Sequence, residues 1–310
     1  MAAELVAERD HDVVLNWMGG LHHARKSKAS GFCYLNDCVL AIMRLLYEYR
    51  RVLYIDIDVH HGDGVEEAFL TTNRVLTLSF HQYESDQSFF PGTGNVDDFG
   101  EDDGEFHSIN VPLMSGCSNH NYDYIFRNVV DRVFERYRPE AVVLQCGSDS
   151  IVGDRIGGFN LTIEGHGNAF KHVLSKKIPT VCLGGGGYTA ENVSRCWAYE
   201  SFVALNKDAP FFLPENLEYQ SIYSTNELLK PLPNLQDDII DRNTKDYLQK
   251  LLVKVECMLK NVEIAPGTPF MQRPDKEERK EVNGVDLNDG EKNYNNHEIQ
   301  IESNESDDLG

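Results

Sequence analysis

Long apolar runs, disulfide-style cysteine spacing and an excess of positive charge are all missing from this sequence, and each absence removes a class of function. No uninterrupted apolar stretch approaches the roughly 20 residues that a membrane-spanning helix requires, and the opening MAAELVAERDHD lacks the apolar core of a signal peptide. A soluble protein is expected. The seven cysteines (33, 38, 117, 146, 182, 196, 257) are odd in number, form no Cys-x-x-Cys pair and mostly sit inside apolar runs. That usage fits reduced thiols in an intracellular protein, not a disulfide framework. Lysine and arginine number 29 against 50 acidic residues, a formal net charge of -21. Phosphates would be repelled, so direct nucleic-acid binding and attachment to an anionic membrane are not expected, whereas a basic partner or substrate is. No dense Lys/Arg cluster gives a compartment. The Asn-x-Ser/Thr matches at Asn160, Asn192 and Asn304 read as chance.

What is present is a recurrence of short, β-branched apolar runs at 13–17, 51–59, 74–80, 141–146 and 178–183. Helix-like segments with apolar residues at three-to-four spacing lie at 36–49, 122–137 and 165–176, with another beginning near Asn192 and one more at 243–259. This alternation predicts an α/β fold, a parallel sheet covered by helices on both faces. With 310 residues and 41% apolar content the chain can bury a full core. One domain over 1–272 is expected. The segment 273–310, with 12 acidic and 5 basic residues, is expected to be an acidic disordered tail.

Ligands in open α/β sheets bind beyond the carboxyl ends of the strands. Four such positions hold unusual residues: GGLHHA (19–24), HHGDG (60–64), GSDS (147–150) and GGGGYT (184–189). Asp56, Asp58 and His60 alternate along what is expected to be extended chain, which would put them on one face. Buried carboxylates there require a partner charge, and the run contains no Lys or Arg. Asp149, at the end of a second strand, completes a three-donor set of the kind that holds a catalytic zinc with an open position. Iron(II) or cobalt also suits these donors. His22 and His23 follow two glycines and have Asp56 and Asp63 as orienting partners, which reads as acid/base machinery. The glycine run 184–187 has two readings: a phosphate cradle, which lacks the following Lys-Ser/Thr, or a turn presenting Tyr188 to an oxyanion. Tyr188 as a core aromatic stays open. There is no G-x-S-x-G elbow and no cysteine nucleophile signature, so metal-activated water is the best nucleophile and amide hydrolysis the implied chemistry.

Taken together, NWMGGLHHARKSKASGFCYLND, RVLYIDIDVHHGDGVEEAF, FFPGTG, LQCGSDS, GDRIGGFNLTIEGH and LGGGGYT resemble the class I (RPD3-type) zinc-dependent histone deacetylases, over about 16–272. The resemblance implies an arginase/deacetylase-like fold and hydrolysis of N6-acetyl-lysine on histone tails or other proteins. It further implies corepressor complex partners, transcriptional repression through chromatin, and a nuclear location. By it, Asp58, His60 and Asp149 hold zinc, His23 is general base and then acid, His22 is its electrostatic partner, and Asp56 and Asp63 stand behind them. Tyr188 polarises the acetyl carbonyl, Gly31, Phe32 and Phe90 line the tunnel for the acetyl-lysine stem, and Ile156 sits at its mouth. Potassium is implied near Asp56, Asp58, His60, Ser79 and Phe80, with a second ion on carbonyls of Phe69, Thr72 and Val75.

Two departures accompany the resemblance. Family members begin well ahead of the N-W-x-G-G-L-H-H loop, so the early strands, helices and rim loops, and a substrate-gripping rim aspartate, are expected to be lacking. In the basic pocket where the class binds inositol phosphate, Arg155 fits one contact but Glu191 stands where a basic residue is common. Two rival expectations follow: a catalytically silent interaction or competitor protein, and a hydrolase for a small acylated amine.

Overall fold

The computed structural model describes residues 1–229 and 239–262; the expected tail at 273–310 and the boundary at 272 lie outside them. In chain order the elements are α1 (Ala2–Ala7), β1 (Val13–Asn16), α2 (Asp37–Leu45), β2 (Val52–Asp56), α3 (Asp63–Phe69), β3 (Val75–Gln82), β4 (Ser108–Leu113), α4 (Asn119–Tyr137), β5 (Ala141–Gln145), α5 (Ile163–Leu174), β6 (Thr180–Leu183), α6 (Ala190–Ala204) and α7 (Lys245–Asn261). The strands form one parallel sheet in the order β1-β6-β5-β2-β3-β4. All five expected strands are present.

The sixth, β4, escaped the pattern because SINVPL is polar at its start and carries Pro112, and proline is tolerated on an edge strand such as this. Two short helices also escaped it. α1 has only six residues, and α3 begins at Asp63 in what read as a polar loop. A further correction concerns β2, which ends at Asp56; the chain then bends over 58–60 instead of staying extended. Asp56 is thereby separated in role from Asp58 and His60.

Alternation along the strands divides the core into two layers. Val52, Tyr54, Val75, Ala141, Val143 and Val181 pack with α1, α2 and α3 on one face. Leu53, Ile55, Leu76, Leu78, Val142 and Leu144 pack with α4, α5 and α7 on the other. This is the arginase/deacetylase-like arrangement expected, with helices on both sheet faces. Chain progression turns outward in opposite directions from the β2/β5 pair, where Asp56 lies in register with Gln145. That is a topological switch point, and a crevice forms at the carboxyl ends of the two strands.

Among the described residues no helix is long and apolar enough to cross a membrane. All seven cysteines are free, and six are buried. Asn160 and Asn192 are buried, which agrees with chance sequon matches; Asn304 lies outside the described residues.

Candidate metal centre

The switch point brings together Asp58 and His60 from beyond β2 and Asp149 from beyond β5. Their donor atoms all lie within 4.8 Å of one another. His60 Nδ1 is 3.1 Å from Asp58 Oδ1 and 3.0 Å from Asp149 Oδ2, and all three side chains are buried. Backbone and side-chain donors hold the carboxylates: Val59 N–H donates to Asp149 Oδ1 at 2.8 Å, while Gly186 N–H and Gln145 Nε2 donate to Asp58 Oδ2 at 2.8 and 2.9 Å. The close approach of 184–187 needs glycine. A Cβ on Gly186 would stand 2.1 Å from Asp149 Oδ2.

Two carboxylates buried this closely cannot both stay charged without a cation. Burial and the charge of Asp58 push Asp149 up to about 7. Burial also opposes the charge on Asp58, but His22 and His60 hold it well below the carboxylate range. Burial lowers His60, yet its hydrogen bonds to Asp149 and Asp58 lift it to about 10. Two oxygen donors with one nitrogen donor suit zinc. The residues fit the metal.

The GGLHHA loop lies over the start of α2. Asp37 accepts from the Gly20 and Leu21 N–H groups, at 3.0 and 2.8 Å. Asn36 caps α2 through Val39 N–H (3.0 Å) and donates to the His22 and Ala24 carbonyls at 3.1 and 2.9 Å. His22 Nδ1 then lies 2.7 Å from Asp56 Oδ2, which also accepts from the Tyr54 hydroxyl at 2.5 Å. His23 Nδ1 lies 2.7 Å from Asp63 Oδ1, and Arg25 pairs with the other oxygen of Asp63. Burial opposes charge on His22, but Asp56 and Asp58 lift it to about 9. Burial and the neighbouring His22 push His23 down to about 4, against the pull of Asp63. One ring is a cation at neutral pH and the other a free base.

A cavity of about 480 Å³ opens from His23 and His60 to the surface, lined by Gly31, Phe32, Ser88, Phe89, Phe90, Ile156 and Tyr188. Gly31, Phe32, Phe90 and Ile156 thus line one cavity with His23, His60 and Tyr188. Phe90 meets the His23 ring edge-on at 5.0 Å, and Phe32 lies 6.0 Å from Tyr188. Gly31 has φ +51°, and a Cβ there would strike the His23 ring at 2.3 Å. Burial keeps the Tyr188 hydroxyl protonated well above its ordinary range, reinforced by Asp58 and Asp149. Ser79 and Phe80 lie on β3, with Ser79 in register with Asp56.

Several contributors were not singled out from sequence. Phe89 stacks on His60 at 5.2 Å; Gln145, Asn36 and Asp37 orient the ligand and histidine loops. Their signal was faint, since a polar residue at a strand end and an Asn-Asp helix start are both common. Arg155 is exposed, and the Glu191 carboxylate is engaged by Arg195 Nη1 at 3.0 Å and by the Ser224 N–H and hydroxyl at 2.9 and 3.0 Å.

Comparison with known proteins agrees with this geometry. The Histone deacetylase domain family matches residues 1–203. The chain is 49% identical over 269 residues to Type-1 histone deacetylase 1 of Dictyostelium discoideum, covering 87% of this chain and 53% of that protein. It is 49% identical over 264 residues to Histone deacetylase 1 of Homo sapiens (85% and 53%) and 46% identical over 283 residues to Histone deacetylase 19 of Arabidopsis thaliana (91% and 55%). The chain spans about half the length of these curated relatives. With a domain match over most of its length and close identity to class I members, this chain belongs to the histone deacetylase family.

Proposed function

We propose that this chain is a zinc-dependent protein lysine deacetylase, hydrolysing the acetyl group of N6-acetyl-lysine on histone tails or other proteins. The observation that carries the reading is a buried His23, its Nδ1 2.7 Å from Asp63 Oδ1, beside the three-donor set Asp58, His60 and Asp149, at the inner end of an aromatic-walled cavity. Zinc would be held by those three side chains and, when bound, supplies Lewis acidity toward a carbonyl oxygen and makes a water molecule more acidic. His23, with Nδ1–H donated to Asp63, has its other ring nitrogen free to take a proton from water. As His23 takes that proton the water oxygen bonds to the acetyl carbon, and the same nitrogen then returns the proton to the lysine nitrogen as the amide C–N bond breaks, leaving acetate and free lysine. His22 keeps its positive charge and so keeps the resting His23 neutral. Tyr188, held protonated, donates to the developing oxyanion. Phe32 and Phe90 flank the aliphatic lysine stem and exclude water, which a neutral acetylated side chain tolerates and a charged one does not.

On the same reading, corepressor subunits are partners, the outcome is repression through chromatin, and the protein acts in the nucleus. Potassium near Asp56, Asp58, His60, Ser79 and Phe80, and on the Phe69, Thr72 and Val75 carbonyls, is part of the proposal. Inositol phosphate is not, because the Glu191 carboxylate would repel it. The test is zinc content and acetyl-lysine peptide turnover of the purified chain beside His23→Ala. A fall of at least about 100-fold in the variant supports the reading, and a folded chain without zinc overturns it. A second reading, a non-catalytic interaction protein, is favoured by the exposed apolar side chains of Leu40 and Met43 on α2 and of Tyr47 just beyond its end. Stoichiometric zinc without turnover would favour that alternative.

A further inference from the structure

Two loops from distant parts of the chain form the mouth of the cavity, one carrying Ile156 and the other Tyr188. The second loop begins with four glycines, which impose little on their own conformation. The direction of Tyr188 therefore depends on what fastens the backbone around it. Gly186 is tied inward, its N–H to Asp58 Oδ2 at 2.8 Å and its carbonyl to Ser148 N–H at 2.8 Å. Tyr188 is tied outward, to Asp154. The Oδ2 of that carboxylate accepts from the Tyr188 N–H at 2.6 Å, and its Oδ1 accepts from the Ile156 and Gly157 N–H groups at 3.0 and 3.1 Å. The Thr189 hydroxyl on the Gly153 carbonyl (2.9 Å) and the Asn192 amide on the Val152 carbonyl (3.1 Å) continue the same seam.

The bonds from Oδ1 are those of an ordinary local turn, which aspartate commonly makes. The bond from Oδ2 is different, since it crosses 34 residues of sequence to the residue that carries the candidate oxyanion donor. We infer that Asp154 is a positioning residue for the deacetylation proposed above: one carboxylate locks the Tyr188 backbone to the Ile156 turn and so fixes both the hydroxyl and the width of the mouth. Asp154 touches neither the metal ligands nor the inner end of the cavity, and its effect passes through Tyr188. The inference rests on the deacetylase reading for its effect on rate, but not for its effect on loop order.

The experiment compares Asp154→Ala, Asp154→Asn, Tyr188→Phe and Asp154→Ala/Tyr188→Phe in the full chain. It measures kcat and KM on an acetyl-lysine peptide, zinc content, and amide hydrogen exchange at Ile156, Gly157 and Tyr188. Displacing a catalytic group by about 1 Å costs on the order of 100-fold, so D154A is expected to lower kcat by about 10- to 100-fold at unchanged zinc content. D154N is expected to fall between D154A and wild type, because its single amide oxygen serves one loop only. If Asp154 acts through Tyr188 the effects are not additive, and D154A in the Y188F background costs less than about threefold. Unchanged kcat in D154A, or a loss carried over in full into Y188F, would overturn the proposal. If the wild-type chain has no turnover, the deacetylase reading falls by itself and exchange decides: faster exchange at Tyr188 and Ile156 in D154A supports the lock, and unchanged exchange refutes it.

Discussion

The rings of His22 and His23, consecutive in the chain, lie with centroids 3.9 Å apart and hold their protons oppositely. His22, pinned by Asp56, is lifted to about 9, while His23, buried beside that charge, is pushed to about 4. Both rings face a carboxylate at 2.7 Å, and they are driven apart because burial and the adjacent His22 lower His23 while Asp56 and Asp58 together lift His22. In Asp56→Asn the support for charge on His22 is lost, so the repulsion acting on His23 weakens and its pKa rises. The acid limb of the kcat/KM profile is then expected to move to higher pH, measured on an acetyl-lysine peptide.

Gln145 supports the metal site from behind. Its Nε2 donates to Asp58 Oδ2 at 2.9 Å and its Oε1 accepts from the Gly147 N–H at 2.9 Å. Gln145→Met leaves the three donors in place but removes one of the two bonds on Asp58 Oδ2, leaving the Gly186 N–H as its partner there. Zinc affinity is expected to drop by about 10- to 100-fold, the usual scale for partners of a metal ligand; competition against a chromophoric chelator measures it.

Gly31 is a wall of the cavity only because it has no side chain. In Gly31→Ala the backbone at φ +51° is strained and the added methyl displaces the His23 ring. Turnover is expected to fall by about 100-fold, the scale of a general base moved out of line, with zinc content retained. Loss of zinc in parallel would show that the substitution disturbs more than His23.

Stability at acid pH should depend on Asp241. Its carboxylate accepts from the Ser118 N–H and hydroxyl (2.9 and 2.7 Å), from Asn121 Nδ2 (2.8 Å) and from the Asn243 N–H (2.8 Å). Burial opposes its charge, but these bonds hold its pKa below the ordinary value. A depressed carboxyl contributes stability that is fully present above the unfolded value of about 3.9. That contribution is lost as pH falls through the folded value. Asp241→Asn is therefore expected to lower the melting temperature at pH 7 and to lose less than wild type below about pH 4.

Phe126 on α4 packs against Phe80 at 4.7 Å and Tyr122 at 5.7 Å between the ring centroids, with no exposed surface. Phe126→Ala should cost about 3–5 kcal/mol by lost transfer energy and cavity formation, read from urea denaturation midpoints with unchanged slope. It lies away from the metal centre, so zinc affinity of the folded fraction is expected to stay the same.

The sequence by itself determined the parallel α/β class, because strands buried on both faces must be apolar at every position and therefore stand out as runs. It also singled out Asp58, His60 and Asp149, which the fold brings together, since carboxylates and histidines at the ends of such runs have few other uses. Periodicity could not place β4, whose polar start and Pro112 suit an edge, nor the end of β2. The backbone leaves the sheet after Asp56, and only its pairing with β3 and β5 decides that. Asp56 and Asp63 were legible as partners of the histidine pair, but the tertiary structure alone decided that His22 takes Asp56 and His23 takes Asp63, stacked Phe89 on His60, and joined Asp154 to Tyr188. These are contacts across 34 to 40 residues or between non-neighbouring loops. Local pattern carries no information on such pairings, because they depend on strand order, and strand order is fixed by how the helices pack over the sheet.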